Sequence, residues 1–150
     1  MKEKQLQDIT ALYGRLSRDD EVGGESMSIQ SQRAILGQYA KEYGFTNCRF
    51  FMDDGYSGTN FDRPAFTEMM ELVEQRRVRT IIVKDLSRFG RNYLEVGRYT
   101  EVIFPENKVR FIAITDGVDS AAGDNEFAPF KNIINEWYAK DISRKVKSAF

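Results

Sequence analysis

Arg15-Leu16-Ser17 closes the first apolar run of this chain, and Ser87-Arg88-Phe89-Gly90-Arg91 follows a later one. Together they bring a hydroxyl and three guanidiniums into a protein that contains no histidine. A serine nucleophile is ordinarily activated by a neighbouring base, most often histidine, so the commonest hydrolase triad is excluded. Arginine suits a different electrophile, phosphate. Moving a phosphodiester from one oxygen to another develops negative charge on the equatorial oxygens. Planar guanidiniums bind that charge bidentately and hold their own proton above about pH 12. Arg15 and Ser17 stand two apart at a strand end and so point to one side of a sheet. Arg88 and Arg91 stand three apart at the start of a helix spanning Asn92 to Phe104, and so share a face.

The elements that must position these groups are readable from periodicity. Ile9 to Leu16 reads as a strand. Ser28 to Tyr43 reads as a helix with Ile29, Leu36, Ala40 and Tyr43 on one face and Gly44 as its stop. Arg49 to Met52 is a short second strand, and Asp53 to Arg63 is a loop by its Gly55, Ser57, Gly58 and Asn60. Asp62 is the candidate cap of a helix opened by Pro64, with Phe66, Met69, Met70 and Val73 at i, i+3, i+4 and i+7. Thr80-Ile81-Ile82-Val83 has the composition of a buried parallel strand, and Val109 to Ile114 forms a fourth that ends at Thr115-Asp116-Gly117. The order predicts an α/β fold: three layers, a mainly parallel central sheet of four to five strands, and helices on both faces. Sites in such sheets lie at the carboxyl ends of the strands, where Ser17, Asp54 and the Ser87 to Arg91 segment all fall.

Composition narrows the functional classes. A chain of 150 residues that is 41% hydrophobic can bury the core of one domain. Cys48, the one cysteine, cannot form an internal disulfide, and with no histidine beside it a zinc or iron site is not expected. Cys48 itself reads as a small buried hydrophobe. No signal-type or membrane-spanning apolar segment appears, so a cytoplasmic protein is expected. The net charge of −1 does not suggest a free-standing nucleic-acid binder. The distribution is uneven, however, with Asp19, Asp20, Glu21 and Glu25 early and Arg76, Arg77, Arg79, Lys84, Arg88, Arg91 and Arg98 central. A local basic surface and ordinary solvated helix faces are equal readings of Arg76, Arg77 and Arg79. From about Glu126 to Phe150 the chain reads as a long helix, its apolar stripe running through Phe130, Ile133, Ile134, Trp137, Tyr138, Ile142 and Val146. Trp137 and Tyr138 fit core or subunit-interface anchors, and the stripe fits a partner helix from another subunit. The expected organisation is a core over 1–125 and, over 126–150, the start of an oligomerisation helix in a chain that continues beyond it.

Four separated signatures occur in order: Tyr13-Gly14-Arg15-Leu16-Ser17, Ser28-Ile29-Gln30-Ser31-Gln32, Asp54-Gly55-Tyr56-Ser57-Gly58 with Asp62-Arg63-Pro64, and Leu86-Ser87-Arg88-Phe89-Gly90-Arg91-Asn92. With them the chain resembles the catalytic domain of serine recombinases over residues 8 to 148. The acid-rich stretch after Ser17 and the wording of Lys84 to Asn92 are most similar to the large serine recombinases, the transposases and integrases of mobile elements. The resemblance implies that Ser17 is the nucleophile that cuts each strand and holds the 5′ phosphate as a phosphoserine ester. It implies that Arg15, Arg63, Arg88 and Arg91 surround the scissile phosphate, with Tyr13, Gln32, Asp54, Ser57 and Ser87 in support. It further implies no metal or nucleotide cofactor, double-stranded DNA as partner, a nucleoid-associated setting, and dimers that assemble through the long helix into a synaptic tetramer.

One position departs from the family pattern. Resolvases usually carry aspartate immediately before the first arginine of the Arg-x-Gly-Arg segment. Here that residue is Ser87, with Asp85 two positions earlier. The aspartate's role is lost, moved to Asp85, or taken by the Ser87 hydroxyl. Ser57 reads equally as a turn residue. Two rival readings follow from the same residues: a non-catalytic recombinase-like oligomerisation module, and a metal-dependent nuclease using Asp53, Asp54 and Asp85.

Overall fold

The computed structural model describes residues 8–16, 28–55, 63–90 and 92–122. Their strands are β1 (Ile9–Leu16), β2 (Cys48–Asp54), β3 (Val78–Val83), β4 (Arg110–Ala113) and β5 (Val118–Asp119). The helices are α1 (Ile29–Glu42), α2 (Pro64–Glu74), α3 (Leu86–Phe89) and α4 (Tyr93–Arg98), the last continuing through a π-helical turn at Tyr99–Ile103 into α5 (Phe104–Glu106). The sheet runs β2-β1-β3-β4-β5, parallel throughout except for the final β4–β5 pair. This is the α/β architecture expected from the sequence; the expected long helix over 126–150 lies outside the described residues.

Burial explains the layering. All eight residues of β1 are buried, because β1 lies between two strands and under helices on both faces. Ile9, Ala11 and Tyr13 join Phe51, Ile81, Val83, Phe66, Phe89, Val96, Phe104 and Phe111 in the larger core, and Leu12 with Ile82 and Ile112 meets Leu36 and Ala40 of α1 in the smaller one. Strand alternation thus sends odd positions of β1 toward α2 and α4, and even ones toward α1.

Three helix ends share one device. After α1, Phe45 N–H bonds the Ala40 carbonyl and Gly44 N–H the Lys41 carbonyl, with Gly44 at φ 76°. The same pair of bonds closes α2 around Arg76 (φ 59°) and α5 around Lys108 (φ 57°). Ser28 opens α1, its hydroxyl accepting from Ser31 N–H at 3.0 Å.

The structure corrects several expectations. The inward stripe of α1 is Gln32, Leu36 and Ala40, at strict i, i+4 spacing, whereas Tyr43 is 64% exposed at the C-cap. β2 extends through Asp53 and Asp54, which pair with Arg15 and Leu16 and so belong to the sheet, not to a loop. Cys48 is exposed, because it stands at the start of the edge strand β2. The run from Asn92 is not one regular α-helix but winds through the π-helical turn, where the Thr100 hydroxyl bonds the Val96 carbonyl at 2.8 Å. The N-cap position of α2 is Arg63, not Asp62.

Candidate active site

Site residues converge at the carboxyl end of β1. Tyr13 and Arg15, two apart, both lie on the side of the larger core. Gly14 between them faces α1: a Cβ there would stand 2.9 Å from Oε1 of Gln32 and 2.6 Å from Sδ of Met52. The missing side chain admits the Gln32 amide to the strand. Its Oε1 accepts from Arg15 N–H at 3.1 Å and its Nε2 donates to the Arg15 carbonyl at 3.0 Å. The β1–β3 ladder ends at Tyr13 opposite Val83. Gln32 therefore extends the hydrogen bonding one step further, doing for Arg15 what a strand would.

The second arginine is held from β2. Asp53 is 2% exposed, and its Oδ2 accepts from the Tyr13 hydroxyl at 2.8 Å and from Phe66 N–H at 3.0 Å, while Oδ1 accepts from Ala65 N–H at 2.9 Å. Arginine is a donor only, so Arg63 at the N-cap has no side-chain oxygen to offer α2, and a carboxylate from the neighbouring strand supplies the cap instead. Arg63 Nη1 donates to the Tyr13 hydroxyl at 2.8 Å and Nη2 to the Phe89 carbonyl at 2.7 Å. Its guanidinium carbon lies 5.6 and 5.1 Å from the ring centres of Tyr13 and Phe66. Burial pushes the Tyr13 phenol far above its ordinary range, so it stays a neutral donor to Asp53.

The third arginine sits on α3, whose four residues follow β3. Asp85 caps this helix: Oδ1 accepts from Arg88 N–H at 3.1 Å and from the Ser87 hydroxyl, and Oδ2 from Lys84 Nζ at 3.1 Å. Asp116, from the turn after β4, takes Leu86 N–H at 2.7 Å. Burial raises the Asp85 carboxyl, but the bonds from Ser87 and Lys84 outweigh it and hold the group below the usual carboxylate range. Arg15 Nη2 donates to the Ser87 carbonyl at 2.6 Å, and Arg88 Nη1 to the Arg15 carbonyl at 3.4 Å. α3 is thus a clamp: its Ser87 and Phe89 carbonyls each take a guanidinium from elsewhere in the fold.

Of the residues singled out in the sequence, Tyr13, Arg15, Gln32, Arg63, Ser87 and Arg88 meet in this network. Asp54 is exposed at the end of β2, and the carboxylate that reaches Tyr13 and α2 is its neighbour Asp53. Ser17, Ser57 and Arg91 lie outside the described residues. Arg88 does not open the helix that follows. Gly90, in extended backbone, ends α3, and Asn92 caps α4 separately by accepting from Leu94 and Glu95 N–H. At Ser87 the hydroxyl donates to Asp85 and the main-chain carbonyl accepts from Arg15, so the contact to this arginine is made by the backbone and not by the side chain. Asp53, named only for the metal-ligand reading, and Asp116 went unrecognised as supports of this network. Period-2 alternation from Phe51 marks Asp53 as inward, whereas nothing local marks Asp116. Both Asp53 and Asp85 are occupied with helix N–H groups, an arrangement that suits capping rather than the metal-ligand role of the nuclease reading.

A mainly parallel α/β sheet thus carries arginines fixed at its carboxyl edge, in a chain with no histidine. The chain belongs to the resolvase family: the model of the resolvase N-terminal domain matches residues 10–150. It is the catalytic domain of a serine recombinase, an enzyme of site-specific DNA recombination, and this family acts on DNA and oligomerises. Its fold is similar to that of the N-terminal catalytic domain of TP901-1 integrase, at 23% identity and a TM-score of 0.68 over 93% of this chain and 98% of that one. A resolvase family site-specific recombinase from Streptococcus pneumoniae is similar at 23% identity and a TM-score of 0.65, over 95% of both chains. The C-terminal catalytic domain of ISC1926 TnpA, an IS607-like serine recombinase, is similar at 24% identity and 0.56 over 71% and 70%. Among curated proteins none matches the chain. Among the described residues no helix is long and apolar enough to cross a membrane.

Proposed function

We propose that this domain cuts and rejoins DNA through a 5′-phosphoserine on Ser17, as the catalytic part of a mobile-element transposase or integrase. The Ser17 oxygen attacks the phosphorus, the bond to the 3′ oxygen breaks, and a proton passes from the serine to that leaving oxygen. Rejoining runs the same step backward, so neither metal nor nucleotide is consumed. Arg15, Arg63, Arg88 and Arg91 gather about the phosphate; Tyr13, Gln32, Asp54, Ser57 and Ser87 support them. The observation that carries this reading is the single network joining Arg15, Arg63 and Arg88. Arg15 and Arg63 are both buried. Residues 1–125 form the catalytic core. Residues 126–150 begin a helix through which dimers and a synaptic tetramer on double-stranded DNA assemble, ahead of DNA-binding regions, in the cytoplasm or on the nucleoid.

The test is adduct trapping on a nicked duplex by the full-length protein. The expected result is a covalent complex whose modified residue maps to Ser17 and which disappears in Ser17→Ala while folding is retained. An adduct on another residue, or recombination by Ser17→Ala, overturns it.

A further inference from the structure

With four residues, α3 is a single turn, so its position depends on what grips its ends. Asp85 caps it from the preceding position and moves with it. Asp116 grips it from another strand: its Oδ2 accepts from N–H of Leu86, the first residue of the helix, at 2.7 Å and across 30 positions of sequence. The corner that carries Asp116 is itself braced. Beyond Ala113 the chain keeps to β3, with Ile114 N–H on the Val83 carbonyl at 3.0 Å and Thr115 N–H on the Lys84 carbonyl at 2.8 Å. It then reverses, Gly117 N–H closing on the Ile114 carbonyl with Gly117 at φ 67°, and returns as β5, where Val118 pairs with Ala113. An Arg110–Asp119 ion pair fastens the two strands of this hairpin further along. Asp116 therefore refers α3 to the sheet, which Asp85 cannot do. What α3 carries gives that bond its reach: the Ser87 carbonyl takes Arg15 Nη2, the Phe89 carbonyl takes Arg63 Nη2, and Arg88 lies on the helix itself.

We propose that Asp116 is a positioning residue for strand cleavage: by accepting from Leu86 N–H it fixes α3 against the sheet, and through α3 it places Arg15, Arg63 and Arg88 together. It touches none of the three arginines. Its influence passes through one main-chain N–H and then through the main-chain carbonyls of the helix. The inference rests on the phosphoserine reading above.

The experiment measures adduct formation by the full-length protein, in excess, on a nicked duplex spanning its recombination junction. The first-order rate constant, the final amplitude and the half-saturating protein concentration are read separately. Asp116→Ala is expected to slow the rate constant on the order of a hundredfold, the scale of an ångström-sized misplacement, with amplitude and half-saturation unchanged. Asp116→Asn keeps an oxygen for Leu86 N–H and is expected to recover most of that loss. A parental rate constant in Asp116→Ala overturns the proposal, whether or not the amplitude falls through loss of folded protein. So does a change confined to half-saturation, which would mark a DNA contact, and so does an Asp116→Asn variant as slow as Asp116→Ala. If Asp116→Ala does not fold, Asp116→Ser takes its place, since serine suits a turn but its shorter side chain stops short of Leu86 N–H: a parental rate overturns the inference, a hundredfold loss upholds it. A parent protein that forms no adduct defeats the phosphoserine reading itself, a result distinct from all of these.

Discussion

The carbonyl oxygen of Ser87 accepts a hydrogen bond from Nη2 of Arg15 at 2.6 Å, joining residues 72 apart in sequence. The same serine's hydroxyl is bonded to Asp85, so one residue ties the cap of α3 to the arginine of β1. Its side chain holds the turn, and its main chain holds the guanidinium.

Replacing Ser87 by aspartate restores the residue usual in resolvases but sets a second carboxylate against Asp85. Ser87→Asp is expected to lower stability by about 1–3 kcal/mol, through loss of a charge-assisted hydrogen bond and gain of like-charge repulsion. The exchange Asp85→Ser with Ser87→Asp is expected to recover most of it. Urea denaturation at neutral pH checks both, and a stable Ser87→Asp single variant contradicts the geometry.

The Gln32 amide bonds both the N–H and the carbonyl of Arg15. Gln32→Met, similar in length, removes both bonds and is expected to cost about 1–3 kcal/mol. Gly14→Ala should cost a similar amount from the other side, because its Cβ would meet Gln32 Oε1, which cannot retreat without releasing Arg15. Thermal melts of the two variants and of the pair are informative: a shared cause makes the double variant less than additive.

Arg76 and Lys108 occupy left-handed positions that glycine normally fills. Arg76→Gly and Lys108→Gly are each expected to raise stability by up to about 1 kcal/mol, since a side chain is strained at positive φ. A drop in the urea midpoint of either variant would refute this.

Two carboxyls give the pH dependence a sign. Arg110 grips Asp119 in a fork, Nε to Oδ1 at 2.9 Å and Nη2 to Oδ2 at 2.6 Å, and this bonding holds Asp119 below the usual range. Asp85 is also held low. A carboxyl lowered by folding stabilises fully above its unfolded pKa, near about pH 4, and loses that contribution as pH falls through the folded value. Urea midpoints should therefore fall below about pH 4, and fall less steeply in Asp119→Asn and Asp85→Asn.

Much of the fold was legible because hydrophobic periodicity is a local signal. β1 from Ile9 to Leu16 and the helix opened by Pro64 follow from the spacing of their apolar residues and from one proline. Boundaries set by pairing were less visible. Asp53 and Asp54 look like loop residues by type, and only the ladder against Arg15 and Leu16 makes them strand. Tyr43 looks inward by type, yet the turn around Gly44 leaves it in solvent.

The sequence by itself determined the chemistry available: a serine near guanidiniums, no histidine, and a βα order that brings strand ends to one edge. Only the tertiary structure decided how the arginines are held. Arg15 rests on Ser87 and Gln32, Arg63 on Tyr13 and Phe89, and the carboxylate behind Tyr13 is Asp53 rather than Asp54. Several of these contacts use main-chain atoms, which every residue carries. Residue type therefore cannot announce them, and they exist only once strands and helices have brought distant backbone together.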